Sequence, residues 1–106
     1  MRVCYHPPPM ALTARQRQFL KGLAHALAPV VRVGKGRLTP AVVAETRRSI
    51  EAHELIKVRI ESDDTAERRE IAERLAAETN SDLAGSIGKL AVLYRAREEK
   101  PKIKLP

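Results

Sequence analysis

The stretch from Val30 to Pro40 leaves the chain little choice of local structure. Val30, Val31 and Val33 are β-branched, with Arg32 between them, and predict a short strand. Gly34-Lys35-Gly36-Arg37 follows as a tight loop with two glycines and two cations. Thr39-Pro40 then has the form of a helix start, Thr at the N-cap and Pro at the first helical position. Strand, loop and helix start in direct succession commit this part of the chain to a βα unit. The same succession suits an anion. Glycines let backbone N–H groups come close. A helix N-terminus carries partial positive charge and unpaired donors, and Lys35 and Arg37 add full charges. A clamp for a nucleic-acid backbone and a plain βα turn with surface cations both fit these residues, because an isolated glycine-rich loop is weak grounds for either.

Periodicity extends the unit in both directions. Thr13 predicts the N-cap of a helix running to about Ala26. Phe19, Leu20, Leu23, Ala24 and Leu27 have the spacing of one buried face, with Arg15, Arg17 and Lys21 off it. Gly22 inside this helix costs ~1 kcal/mol relative to Ala, which points to close packing or close ligand approach. Pro29 ends the helix and leads into the strand. A second helix is predicted from Pro40 to about His53, with Val42, Val43, Thr46, Ile50 and His53 inward and Arg47 and Arg48 outward. Leu55 to Ile60 alternates: Ile56, Val58 and Ile60 on one face, Lys57 and Arg59 on the other, a half-buried strand with two cations outward.

Asp63-Asp64-Thr65 caps a third predicted helix, to about Thr79, with Ile71, Ala72, Leu75 and Ala76 inward. Asn80-Ser81 breaks it. Asp82 to Gly88 is a weak strand and Lys89 to Arg95 a strong one, with Gly88-Lys89 at the turn between them. The order α-β-α-β-α-β-β predicts an α/β two-layer sandwich, a mixed four-stranded sheet with three helices. Residues 1–10, with Pro7-Pro8-Pro9, read as an extended mobile arm, 11–96 as the folded domain and 97–106 as a basic tail. The change of character at Ala11 makes Met10 a candidate start.

Aromatic residues make up 3% of the 106 residues, so the core of this single domain must be aliphatic. That scarcity also argues against an aromatic platform for stacked bases. No apolar run approaches the ~20 residues that span a membrane, and no signal-peptide core is present. The single cysteine, Cys4, cannot form an internal disulfide, which favours a reducing cytoplasm. Cys4 and His6 are metal-ligand types, but two residues do not build a closed site. Neither metal nor cofactor is expected, nor a membrane partner. Net charge is +7, distributed as +8 over residues 1–60, −5 over 61–82 and +4 over 83–106. A basic field of this kind implies a polyanion as partner.

Several blocks then carry a resemblance: Lys21-Gly-Leu-Ala-His25, Pro29-Val-Val31, Gly34-Lys-Gly36, Leu38-Thr39, His53-Glu-Leu-Ile-Lys-Val58, and Gly88-Lys89 with Val92-Leu-Tyr-Arg95. In this order they resemble the chloroplast RNA splicing and ribosome maturation (CRM) domain, and more closely its stand-alone bacterial members, the YhbY-like RNA-binding proteins. The similarity covers about residues 11–106. It implies a fold like the C-terminal domain of bacterial translation initiation factor three. It implies RNA binding, with bacterial members associated with precursors of the large ribosomal subunit and plant relatives serving group II intron splicing. It also implies a GxxG loop between the first strand and second helix, comparable to the loop with which KH domains clamp RNA backbone. This chain departs there: the fourth position is Arg37, and Ala28 stands where the family often has Lys before Pro.

The resemblance makes Gly34, Lys35, Gly36, Arg37 and Thr39 the leading RNA-binding candidates. Lys21, Arg47, Arg48, Lys57, Arg59, Lys89 and Arg95 are further cationic candidates, as are Arg15 and Arg17. His25 and His53 match family positions, but no nucleophile, metal spacing or nucleotide-binding loop accompanies them, and both suit a helix C-terminus. No enzyme is predicted. The expected function is binding of ribosomal RNA in large-subunit precursors during ribosome biogenesis, with ribosomal proteins as a second class of partner. The alternative is a protein-interaction adaptor using the acidic third helix (Glu67, Glu70, Glu73, Glu78), with incidental RNA contact.

Overall fold

Each helix begins where the sequence supplies a cap. The computed structural model describes residues 12–34, 38–96 and 103. Thr13 caps α1 (Ala14–Ala24): its Oγ1 accepts from the Gln16 N–H at 3.1 Å, and Gln16 Oε1 accepts from the Thr13 N–H at 3.0 Å. Thr39 caps α2 (Pro40–His53), accepting from the Val42 N–H at 3.2 Å, with Pro40 at the first position. Asp64 caps α3 (Thr65–Glu78), accepting from Ala66 and Glu67. The strands are β1 (Val31–Val33), β2 (Leu55–Ile60), β3 (Asp82–Ile87) and β4 (Leu90–Tyr94). The predicted element order holds throughout.

The sheet order is β1-β2-β4-β3. β1 and β2 are parallel, joined by α2, with Arg32 opposite Arg59 and Val33 opposite Ile60. β2 with β4 and β4 with β3 are antiparallel. Gly88 turns the last hairpin at φ +59°, a left-handed conformation that suits glycine. The Ile60 N–H donates to the Lys89 carbonyl at 2.8 Å, which ties that turn to the end of β2.

Period-two alternation sorts the strand residues onto two faces. Val31, Val33, Ile56, Val58, Ile60, Ala91 and Leu93 pack against Ile50 of α2 and Ile71, Ala72, Leu75 and Ala76 of α3. The mixed four-stranded sheet and three helices are as predicted, but only α2 and α3 share this layer, because α1 packs on the opposite face; the four inward residues of α3 are all buried as expected. On the other face α1 covers part of the sheet. Leu20 and Ala24 pack with Leu12, Leu55, Ala84, Val92 and Tyr94, and Ile103 lies against the same cluster. Burial raises the Tyr94 phenol above its ordinary pKa, with the Glu54 and Asp82 carboxylates adding to the shift.

Four expectations about side chains need correction. The predicted inner stripe of α1 divides: Leu20 and Ala24 are buried, whereas Phe19, Leu23 and Leu27 are about two-fifths exposed, at 39, 41 and 38%. The sheet covers a narrower arc of the helix than its apolar stripe offers. His53 is exposed rather than inward, because it is the last residue of α2. Lys57 is buried, since α1 packs over the face that alternation assigned to solvent. Gly22 has open space where a Cβ would stand, so no close packing explains it. The 1–10 arm, Lys35 to Arg37 and all of the 97–106 tail except Ile103 fall outside the described residues.

Candidate functional site

A parallel βαβ unit puts the end of its first strand, the start of its helix and the end of its second strand on one edge of the sheet. Here that edge gathers Gly34, Thr39 with Pro40, and Glu61 after Ile60. The Glu61 N–H donates to the Val33 carbonyl at 3.0 Å, fixing the two strand ends side by side. The Gly88-Lys89 turn joins them through Ile60. Gly34 is exposed and a Cβ on it would meet nothing within 4 Å, so backbone access to this edge is open. The helix start itself offers less than its sequence suggests. Pro40 has no N–H, and the Val42 N–H is taken by Thr39. Anion binding at this edge therefore has to lean on side-chain charge.

Two guanidiniums supply that charge around one carboxylate. Val31 and Val33 point toward α2 and α3, so Arg32 points to the opposite face, beside its register partner Arg59. Arg32 Nε lies 3.5 Å from Glu61 Oε2, and Arg59 Nε donates to Glu61 Oε1 at 3.1 Å. The Arg32 side chain is 71% exposed. It was not among the cationic candidates read from sequence. The signal was present in the Val-Arg-Val alternation, which places a cation on the face away from the valines. Pairs this exposed contribute little stability, so their arrangement costs the fold little if a phosphate takes the guanidiniums instead.

The remaining candidates scatter over the molecule. Lys89 Nζ is 2.9 Å from Asp63 Oδ1 at the same edge. Lys21 is half-buried with its stem against Gly85 of β3, where a Cβ would come within 2.8 Å of Lys21 Cδ. It lines an open groove of about 850 Å³ beside the β3 edge with Arg17, Arg68, Arg69 and Lys89. Arg17 Nη1 donates to the Leu12 carbonyl at 2.6 Å, and Arg15 is exposed. Arg47 and Arg48 are exposed on α2, as expected, and Arg47 Nη2 donates to the Glu78 carbonyl at 2.7 Å across to α3. Lys57 is buried beneath α1, which keeps most of its side chain away from a ligand at the surface. Arg95 lies at the opposite edge of the sheet, 3.9 Å from Glu51. The structure thus brings together Gly34, Thr39, Arg59 and Lys89, adds Arg32, leaves Lys21 sharing a groove with Lys89 alone of these, and separates Arg47, Arg48, Lys57 and Arg95 from them.

Among the described residues no group of three or more His, Cys, Asp or Glu side chains is placed to hold a metal ion. No described helix is long and apolar enough to cross a membrane. His25 is the C-cap residue of α1 and exposed. The acidic side chains of α3 are interleaved with arginines: Glu73 pairs with Arg69 at 3.3 Å, and Glu67 accepts from Ser62 at 2.6 Å.

Comparison with known proteins gives a consistent result. The model of the CRS1 / YhbY (CRM) domain matches residues 12–95. An RNA-binding protein of Haemophilus influenzae is 44% identical over 95 residues, covering 90% of this chain and 95% of that protein. A Bacillus subtilis relative named probable RNA-binding protein is 36% identical over 95 residues, covering 90% and 99%. A Staphylococcus aureus protein solved in solution superposes with a TM-score of 0.82 at 35% identity, covering 90% of this chain and 99% of that one.

Proposed function

The chain belongs to the CRS1 / YhbY (CRM) domain family, and from that premise we propose that it binds ribosomal RNA in precursors of the large ribosomal subunit and assists their assembly, without catalysing a reaction. The observation that carries the reading is the edge where the βαβ unit ends, with an exposed glycine and the Arg32–Glu61–Arg59 cluster set beside it. Backbone approach at Gly34 and charge from Arg32, Arg59 and Lys89 suit phosphates, with Lys35, Gly36 and Arg37 completing the loop. Such contacts give affinity and orientation rather than sequence reading. The relatives' names support RNA as the ligand class. Ribosomal RNA, ribosomal proteins as neighbours and a cytoplasmic setting are the finer parts of the proposal.

For the adaptor alternative, part of the acidity of α3 is already answered within the chain, Glu73 by Arg69 and Glu67 by Ser62. The two readings part on a charge-reversed loop. The variant carrying Lys35→Glu and Arg37→Glu is expected to lose co-sedimentation with large-subunit precursors, and to bind ribosomal RNA fragments with a shallower salt dependence. Each neutralised phosphate contributes about −0.7 to the logarithmic salt slope on single strands. Co-sedimentation retained by that variant would favour the adaptor.

A further inference from the structure

The apolar stripe that α1 fails to bury has a defined position. Successive helix residues are separated by about 100°, so Phe19 and Lys21 lie on opposite flanks of buried Leu20. Lys21 faces β3 through Gly85. Phe19 and Leu23 therefore face away from β3, toward the β1 side of the sheet. Leu27 continues the line past the helix end, and Val30, 46% exposed, brings it to the start of β1. On this same face of the sheet, next along β1, stands Arg32. An apolar strip thus ends beside the cations of the candidate phosphate site.

Resting on the RNA-binding reading above, we infer that this strip receives unpaired bases of the bound RNA, with one base stacked on Phe19 while Arg32 and Arg59 hold the adjoining backbone. Charge selects the occupant. The first 44 residues contain no Asp or Glu, and the Glu61 carboxylate beside Arg32 is outnumbered by Arg32 and Arg59, so the strip sits in a predominantly basic surround that favours a polyanion. A second copy of the chain would bring two such fields together. Four side chains also fall far short of the roughly 20–30 residues a side of a stable protein interface. A strip of apolar surface next to phosphate-binding cations matches what single-stranded RNA presents, base faces alongside a charged backbone. The scarcity of aromatics rules out a stacking platform but leaves room for a single stacking residue. Tyr94 is buried, and Phe19 is the exposed aromatic among the described residues.

The chain contains no Trp, so Phe19→Trp installs a single tryptophan at the strip, excited selectively over the two tyrosines. The probes are a mixed-sequence single-stranded oligoribonucleotide and the duplex it forms with its complement. Saturation with the single strand is expected to quench Trp emission, and the duplex to leave it nearly unchanged. Phe19→Ala is expected to weaken single-strand binding about tenfold, with an unaltered salt slope and unaltered duplex binding. Trp emission unmoved by the single strand, or equal losses on single strand and duplex, would overturn the assignment. So would concentration-dependent dimerisation of the wild type that Phe19→Ala abolishes. A wild-type chain that binds neither probe at low salt would instead refute the RNA-binding reading itself.

Discussion

The two faces of the sheet obey different rules. Toward α2 and α3, the strands present Val31, Val33, Ile56, Val58, Ile60, Ala91 and Leu93, and two helices close over them. Toward α1, the same strands present Arg32, Lys57 and Arg59 along with Leu55, Val92 and Tyr94, and one helix covers only part of the area. The buried part of the first face is aliphatic and supplies the cohesion of the domain. The second mixes cations with apolar residues, and its open portion coincides with the edge where the βαβ unit ends. A single sheet can therefore hold the fold together on one side and leave ligand-binding chemistry on the other, because alternation makes the two faces independent at the level of sequence.

The comparison breaks if truncation on the two faces has similar effects. Leu75, fully buried against the closed face, is expected to cost about 2–5 kcal/mol on Leu75→Ala in urea unfolding. Leu23→Ala on the open flank of α1 is expected to cost well under ~1 kcal/mol. Gly22 sharpens the same point in the other direction. It stands in open space within α1, so Gly22→Ala is expected to raise the unfolding free energy by about 0.5–1 kcal/mol.

Two further changes test the open face as a ligand surface. Arg32→Gln is expected to weaken binding to a ribosomal RNA fragment by about threefold and reduce the salt slope by about 0.7, with thermal stability unaltered. Glu61→Gln removes the carboxylate between Arg32 and Arg59 and is expected to strengthen binding by about twofold at low salt. A loss of affinity on Glu61→Gln would mean that Glu61 serves chiefly to hold the guanidiniums in place.

The smallest effect is expected at high pH. Tyr94 has a folded pKa raised above its unfolded value of 10.0, through burial first and then the Glu54 and Asp82 carboxylates. Between the two values the folded state holds the proton that the unfolded state has lost. The stabilisation is thus complete below about pH 10 and falls as pH rises toward the folded pKa. The Tyr94→Phe chain is expected to lose less stability than wild type across that window, measured as a difference of chemical-denaturation curves that cancels the lysines.

Much of this fold is written locally. Thr13, Thr39 and Asp64 mark three helix starts, and each makes the cap its residue type predicts. The period-two run at Leu55–Ile60 and the Gly88-Lys89 turn fix two strands and a hairpin. The candidate site was legible in part: Gly34 and Thr39 stand five positions apart at the end of β1 and the start of α2, so the βα succession alone puts them at one edge. Arg32 joining Arg59 around Glu61 depends on strand register, which no local pattern prints.

Apart from His53 at the end of α2, the misread residues belong to α1 or to the face it covers. Alternation states that Lys57 and Ile56 point oppositely, but not whether a helix lies over the lysine. Periodicity states that Phe19, Leu20, Leu23, Ala24 and Leu27 share one side of α1, but not how wide an arc the sheet will cover. By itself the sequence determined which segments are helix and strand, their order, and the charge they carry, because caps, periodicity and turn chemistry act over a few residues. The tertiary structure alone decided which face α1 occupies and how far it reaches. Docking depends on surfaces built from strands distant in the chain, and its outcome left Phe19 and Arg32 exposed on the open face while burying Lys57 beneath the helix.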